Sequence, residues 1–500
     1  MKFEFTSNSL DKISSDGVIV FAFEQEDEAV LTSSLSYIDK ALEGAVVDDI
    51  KTENFKGKFN EILSISSHRK ILSPKIFIVG LGKMKEFDSN KLREALATLA
   101  KKINKKVHSI TLSFLTPKET DVNVMVQSQV IAEGLLLGSY TFAKYKKKEK
   151  DEKEMEIVVI SEINKNNIIK AKEGITKARI YTEATKLARD LVNEPASVVT
   201  PTFLAKIAED IAKENKEVKC LVYDREDARK MGMEAFLGIA QGSDTPPKFI
   251  VLEYNPRGYA KEDKLAIVGK GITFDTGGVS LKTEKSMTDM KCDMAGAAAV
   301  LGVFSVISEI KPKISVLGVI AATSNMVSGK SLVPGDVVRA MNGKTIEILN
   351  TDAEGRVTMA DSLSYVIKKG ATEIVDLATL TGACIVALGT DIAAIFSNNE
   401  SLKNRVKKAA LGAGEKVWEL PLEKDYQEMN KSEVADISNI PSDRYAGAIT
   451  AALFLEEFID HKPWVHLDIA GPAFYDKAQK LGPKGGSGFG VRMLLNLLTF

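Results

Sequence analysis

From about residue 218 onward, short β-prone apolar runs alternate with helical stretches, and this alternation limits the fold more than any other feature. The runs fall at 218–223, 249–254, 265–270, 314–321, 345–349, 373–379, 392–396 and 464–469. Strands separated by helices cannot pair as hairpins. Each pair needs a crossover, so the pattern predicts one large sheet, mostly parallel or mixed, with helices on both faces. Upstream, 17–23, 75–82, 110–114 and 156–160 read as strands and 92–103 and 122–145 as amphipathic helices. Residues 1–165 are thus expected to form a smaller N-terminal α/β domain. A helical pattern over 168–192 closes at Asn193-Glu-Pro195, which makes 166–195 a connecting helix. Residues 196–500 are left as the larger domain. The expected class is α/β, in two domains, since 500 residues exceed one ordinary core.

Composition narrows the function. Apolar residues make up 44% and charged residues 27%, the balance of a soluble globular chain. A net charge of −1 gives no field for steering polyanions, so no nucleic-acid partner is expected. The basic and acidic run 144–154 reads as a solvated loop. The first residues carry an acid early and lack a long apolar stretch, so no signal peptide is expected. The longest uncharged apolar run, 295–307, is too short for a bilayer and suits a buried core helix. Cys220, Cys292 and Cys384 follow no disulfide or zinc spacing, which fits a reducing, cytoplasmic compartment. Gly80-Leu-Gly82 after a strand reads as tight backbone geometry rather than a phosphate loop.

The chemistry concentrates in three segments. Asn350-Thr-Asp-Ala-Glu-Gly-Arg356 lies between a short β-prone run and a helical pattern in which Val357, Ala360, Leu363, Ser364 and Ile367 recur. It is expected to be a strand-to-helix loop at the carboxyl end of a strand, where α/β sheets hold ligands. If extended, it would point Asp352 and Glu354 the same way, and paired carboxylates call for a proton or cation. Upstream, a buried-type strand runs into a glycine loop and delivers Lys270 and Asp275, with Lys282 farther along. Asp293 stands at the start of a long apolar helix, where the helix dipole favours a carboxylate. Histidine is nearly absent. There is neither His-Glu-x-x-His nor Gly-x-Ser-x-Gly, which excludes a thermolysin-like zinc site and a serine-hydrolase elbow. His466 alternates with apolar residues and is expected in the core or behind the site.

Taken together, the septet 350–356, Val268-Gly-Lys-Gly-Ile-Thr-Phe-Asp-Thr-Gly-Gly278 with Ser280-Leu-Lys282, and Lys291-Cys-Asp-Met-Ala-Gly296 resemble the leucyl aminopeptidase (cytosol aminopeptidase) family. The likeness continues through Asp376-Leu-Ala-Thr-Leu-Thr-Gly382 and His466-Leu-Asp-Ile-Ala-Gly471. It covers roughly residues 180–500, with a macro-domain-like N-terminal domain that is similar mainly in arrangement. The resemblance implies two divalent metal ions, Zn or Mn with Mg or Co as alternatives, held by Lys270, Asp275, Asp293, Asp352 and Glu354. It makes Lys282 and Arg356 the catalytic pair, with a metal-bridging hydroxide as nucleophile and a bicarbonate on Arg356 as general base. Met290, Thr379, Leu380 and Gly382 would line a pocket for Leu- or Met-like side chains, and Gly471-Pro-Ala-Phe474 departs from the family pattern near its rim. The substrates would be peptides, cut at the N-terminal bond. The assembly would be a cytoplasmic homo-hexamer, a dimer of trimers, with no membrane partner. The readings set against this are another hydrolase with a dinuclear carboxylate site, and an added DNA-binding role.

Overall fold

The structure, a computed structural model, describes residues 1–103, 106–147, 154–256, 263–479 and 481–499. Part of the charged run expected to be a solvated loop, 148–153, lies outside them. The chain divides into two compact units. One is Met1–Thr182 with Lys477–Pro483, the other Glu183–Asp476 with Lys484–Phe500. A single helix, Lys165–Asn193, carries the chain from the first to the second.

The first unit is built on strands β1 (Lys2–Thr6), β2 (Gly17–Gln25), β3 (Glu28–Leu31), β4 (Ile62–Ser66), β5 (Lys75–Lys83), β6 (Ser109–Ser113) and β7 (Ile157–Ser161). Their order is β1-β7-β6-β2-β5-β4, with β3 paired to β2. Only β3 and β4 run antiparallel to their neighbours. Sequence patterning does not reveal β1, β3, β4 or the short helices Ser33–Ala41 and Ala45–Thr52. The three strands are half-exposed and four or five residues long, too short for a clear period. The expected helix over 122–145 is Val124–Gly138. It packs closely, since a Cβ on Gly138 would fall 2.5 Å from the Ala97 carbonyl oxygen. Gly80 and Gly82 lie inside β5, where a Cβ on Gly80 would meet the Lys58 carbonyl oxygen at 2.1 Å. Those glycines serve backbone approach.

The second unit continues with β8 (Val218–Tyr223), β9 (Lys248–Tyr254), β10 (Lys264–Asp275), β11 (Ser315–Asn325), β12 (Val337–Arg339), β13 (Thr345–Glu347), β14 (Glu373–Ala378), β15 (Ile392–Ser397), β16 (Lys416–Glu419), β17 (Ile437–Ser438) and β18 (Trp464–Asp468). Eight of them form the large sheet in the order β16-β15-β18-β14-β10-β11-β9-β8. The centre, β18-β14-β10-β11, is parallel, while β9 pairs antiparallel with both β11 and β8, and β15 with β18. The sheet is therefore mixed, with a parallel heart. Alternation along β10 sends Ala266 and Val268 into one core with Met359, Ala360 and Leu363 of the helix Glu354–Lys368. Gly269 points the other way, against Gly296 of the helix Ala295–Ile310. Helices thus cover both faces.

One stretch, Glu284–Ile310, is long and apolar enough to cross a membrane, and 83% of its apolar window is buried inside the protein, as in a core helix. The run at 345–349 does not join the large sheet. Its strand β13 pairs with β12 and β17 in a separate three-stranded sheet. Three residues with one buried side chain, Ile346, suffice for a small sheet only.

Candidate metal centre

Strand β10 carries two of the site's groups. It runs five residues past the expected end at Lys270, because Gly269 and Gly271 let neighbouring backbone close over it and Asp275 still pairs with Asn325 of β11. Lys270 is 4% exposed. Its Nζ donates to Asp293 Oδ1 at 2.7 Å and to the Thr379 carbonyl oxygen at 2.9 Å, and lies 2.9 Å from Glu354 Oε1. Three glycines make this crowding possible. A Cβ on Gly355 would sit 2.4 Å from Lys270 Cε. A Cβ on Gly296 would sit 2.2 Å from the Leu377 carbonyl oxygen, and one on Gly269 2.5 Å from the Gly296 carbonyl carbon.

Asp293 lies in a 3₁₀ turn, Met290–Met294, that leads into the apolar helix. Its Oδ1 also accepts from Thr379 Oγ1 at 2.6 Å, while its buried Oδ2 has no hydrogen-bond partner. Glu354 opens the helix Glu354–Lys368, and the positive end of that helix suits it. Asp352 lies in a turn, so the pair is not extended as expected. The Asn350 side chain accepts from the Asp352 backbone N–H and folds the septet into that turn. Asp352 consequently faces Lys282, whose Nζ is 2.5 Å from Asp352 Oδ1 and 2.8 Å from Asp275 Oδ2. Gly277, at φ +86°, gives the loop bearing Lys282 its sharp reversal.

The cluster thus has two halves, Lys270 with Asp293 and Glu354, and Lys282 with Asp275 and Asp352. Counting charges, four carboxylates and two ammoniums leave −2. Burial works against the charge on Asp293, Glu354, Asp352 and both lysines. Asp293 is pushed up to about 6 by burial and Asp275, against the pull of Lys270. Glu354 is raised well above its usual range by burial and Asp275. Asp352 is raised by burial, with Lys282 opposing. Burial lowers Lys270, but Asp293, Glu354 and Asp275 outweigh it and hold the ammonium charged. One oxygen each of Asp275, Asp293 and Glu354 lie within 4.8 Å of one another, and all three residues are buried. A compact acidic triad with an unpartnered oxygen fits a divalent cation with oxygen ligands.

Arg356, in the first turn of its helix, is buried, and burial lowers it to about 10 although Glu354 and Asp468 are close. Its Nε and Nη1 have no hydrogen-bond partner. Of the residues expected around the substrate, Thr379 is tied to Asp293 and Lys270, Met290 and Leu380 are half-buried, and Gly382 is exposed with open space beside it. His466 lies fully buried in β18 with Nδ1 2.5 Å from Asp376 Oδ1, while Trp464 Nε1 donates to Asp376 Oδ2 at 2.6 Å. Sequence reasoning missed Asn325 and Thr351, which bind Asp275 and the glycine loop. The only signal for Asn325 is a polar Thr323-Ser-Asn325 ending an apolar strand.

Comparison with known proteins adds to this geometry. The family model described as "Cytosol aminopeptidase family, catalytic domain" matches residues 186–495, and that of the family's N-terminal domain matches 19–149. The "Probable cytosol aminopeptidase" of Sulfurihydrogenibium sp. (strain YO3AOP1) is 42% identical over 499 residues, 99% of this chain and 97% of that protein. A solved tomato leucine aminopeptidase mutant is similar with a TM-score of 0.89 and 32% identity, covering 100% of this chain and 96% of its own. The bottromycin maturation enzyme BotP in complex with Mn is similar with a TM-score of 0.85 and 30% identity, covering 97% and 99%.

Proposed function

The chain belongs to the cytosol aminopeptidase family and is a hydrolase of that kind, and from this we propose that it removes N-terminal residues from peptides at a two-metal centre. The observation that carries the proposal is the buried triad Asp275, Asp293 and Glu354 with an ammonium on either side. Lys270, Asp275, Asp293 and Glu354 would hold one cation, and Asp275, Asp352 and Glu354 the other, with Asp275 and Glu354 shared. When bound, Zn or Mn would supply Lewis acidity and an acidified water, and bicarbonate a proton acceptor. Lys270 would ligate as the neutral amine, since nearby dications favour loss of its proton.

The remaining roles belong to the chain itself. Arg356 has Nε and Nη1 hydrogens without a protein partner, and its planar guanidinium would hold an anion such as bicarbonate by charge-assisted hydrogen bonds. Lys282 sits between Asp275 and Asp352. Once freed from them, its ammonium would face the carbonyl oxygen that gains charge during attack. Half-buried Met290 and Leu380, beside the open space at Gly382, would receive an apolar side chain, hence a Leu or Met preference. Three free cysteines, all with thiols raised by burial (to about 11, 12 and 12), suit a reducing cytoplasm. We also assign the chain a homo-hexameric assembly.

Chelation followed by assay on a series of aminoacyl anilides tests the reading. Activity should vanish without metal and return with Mn²⁺ or Zn²⁺, fastest on leucyl and methionyl substrates. Full activity in thoroughly metal-free enzyme would refute it.

A further inference from the structure

We infer that Asn325 is a positioning residue for the centre: its amide fixes the Asp275 carboxylate so that a single oxygen is left for the cations that Asp275 would share. The inference rests on the proposed role of Asp275 as a metal ligand. Asn325 is the last residue of β11, is 5% exposed, and stands opposite Asp275 in the β10–β11 register. Its Nδ2 donates to Asp275 Oδ1 at 2.8 Å and to the Thr351 carbonyl oxygen at 3.0 Å. Both partners only accept, so the nitrogen and not the oxygen of the amide faces them, and both its hydrogens are used.

Neighbouring backbone fixes the surroundings of this amide and of its partner. The Asn325 main-chain carbonyl oxygen accepts from the Thr276 backbone N–H at 3.0 Å and from Thr276 Oγ1 at 2.8 Å, which fixes the backbone that carries the amide. On the far side of the amide, Gly278 at φ +65° comes so close that a Cβ there would lie 2.9 Å from Asn325 Oδ1. The Gly277 backbone N–H gives Asp275 Oδ1 a second donor at 2.8 Å. With two donors on Oδ1, the free valence of the carboxylate is concentrated on Oδ2, the oxygen 2.8 Å from Lys282 Nζ.

One amide therefore does two things. It sets the rotamer of Asp275, and through Thr351 it ties the end of β10 to the septet that carries Asp352 and Glu354. The spacing between the two halves of the cluster depends on that tie. Groups that hydrogen-bond metal ligands typically change affinity or activity 10–100-fold when removed.

The test uses the full-length protein and its Asn325→Ala, Asn325→Asp and Asp275→Asn variants, with Mn²⁺ as the probe. Dissociation constants come from competition with a chelating dye, bound metal from elemental analysis, and folding from circular dichroism. Asn325→Ala is expected to keep its spectrum, to bind Mn²⁺ about 10–100-fold more weakly, and at saturating Mn²⁺ to lower kcat with KM nearly unchanged. Asn325→Asp keeps the volume but turns oxygens toward two acceptors, so it serves if the alanine variant misfolds and should also weaken binding. If Asp275→Asn loses a cation while the folded Asn325 variants bind Mn²⁺ as the parent does, the positioning role is wrong. If Asp275→Asn keeps both cations, the assignment of Asp275 as a ligand fails, and this inference with it.

Discussion

Lys270 and Lys282 carry the same charge twelve positions apart in different settings: one is sealed at 4% exposure between three partners, the other stands on a glycine loop between two carboxylates. Lys270→Ala should therefore bind one cation fewer. Lys282→Ala should keep both cations and its KM but lose about 10²–10³ in kcat, the scale for one oxyanion donor. Elemental analysis with kinetics on each variant decides, and a reversed pattern would exchange their roles. Asp361 provides a test away from the centre. It is fully buried and pushed up to about 7 by burial, only partly offset by the backbone N–H groups of Phe236 and Met341 on its two oxygens. The folded state then binds a proton that the unfolded chain releases near pH ~4. Between about pH 4 and 7 the unfolded state binds fewer protons, so this group makes stability fall as pH rises through that window. Asp361→Asn should flatten that part of the profile. It should also cost about 1–3 kcal/mol at low pH, because one backbone donor loses its acceptor. Urea midpoints at several pH values measure both effects, and an unchanged slope would refute the assignment.

At the scale of elements, the centre exists because backbone segments meet more closely than side chains allow. Gly296→Ala would place a methyl 2.2 Å from the Leu377 carbonyl oxygen, so strand and helix must separate, at a cost of about 1–3 kcal/mol. Gly355→Ala presses instead on the far end of the Lys270 side chain, and its shift away from its partners offsets the gain of about 1 kcal/mol from replacing a helical glycine. Melting temperatures should thus fall for Gly296→Ala and hold for Gly355→Ala, with kcat reduced in both. A Gly296→Ala enzyme that melts with the parent would show the approach to be looser than the geometry requires. The same distinction explains what was legible in the sequence. Strands buried on both faces, such as β10 and β11, announce themselves as continuous apolar runs. The glycine-rich loop and the septet stand out by residue type. Asn325 does not, because its importance lies in which strand it borders, and pairing order between β10 and β11 is a tertiary fact. The turn at Asp352 was hidden for a similar reason: it depends on a local side-chain bond from Asn350 that overrides the extended period. β13 read like a sheet strand because three residues give too little pattern to reveal which sheet they join.

For the whole molecule, the family resemblance leads to the expectation of a hexamer. Light scattering should give a mass near six times 54.5 kDa, and a stable, active monomer would overturn the hexameric assignment. The positions that meet around Lys270 also have a history in time. Lys270 bonds to Asp293, 23 positions on, and to Thr379, 109 positions on. Asp275 waits for Asn325, 50 positions on, and Asn325 for Thr351, 26 further. The segment 270–293 holds Lys270, Asp275, Lys282 and Asp293 but neither Asp352 nor Glu354, and parallel pairing of β14 with β10 brings in the last partner, Thr379. A chain still leaving the ribosome would therefore pass most of its synthesis without an assembled centre. Peptide ends nearby, including those of other nascent proteins, would meet a competent hydrolase only after the central strands had closed.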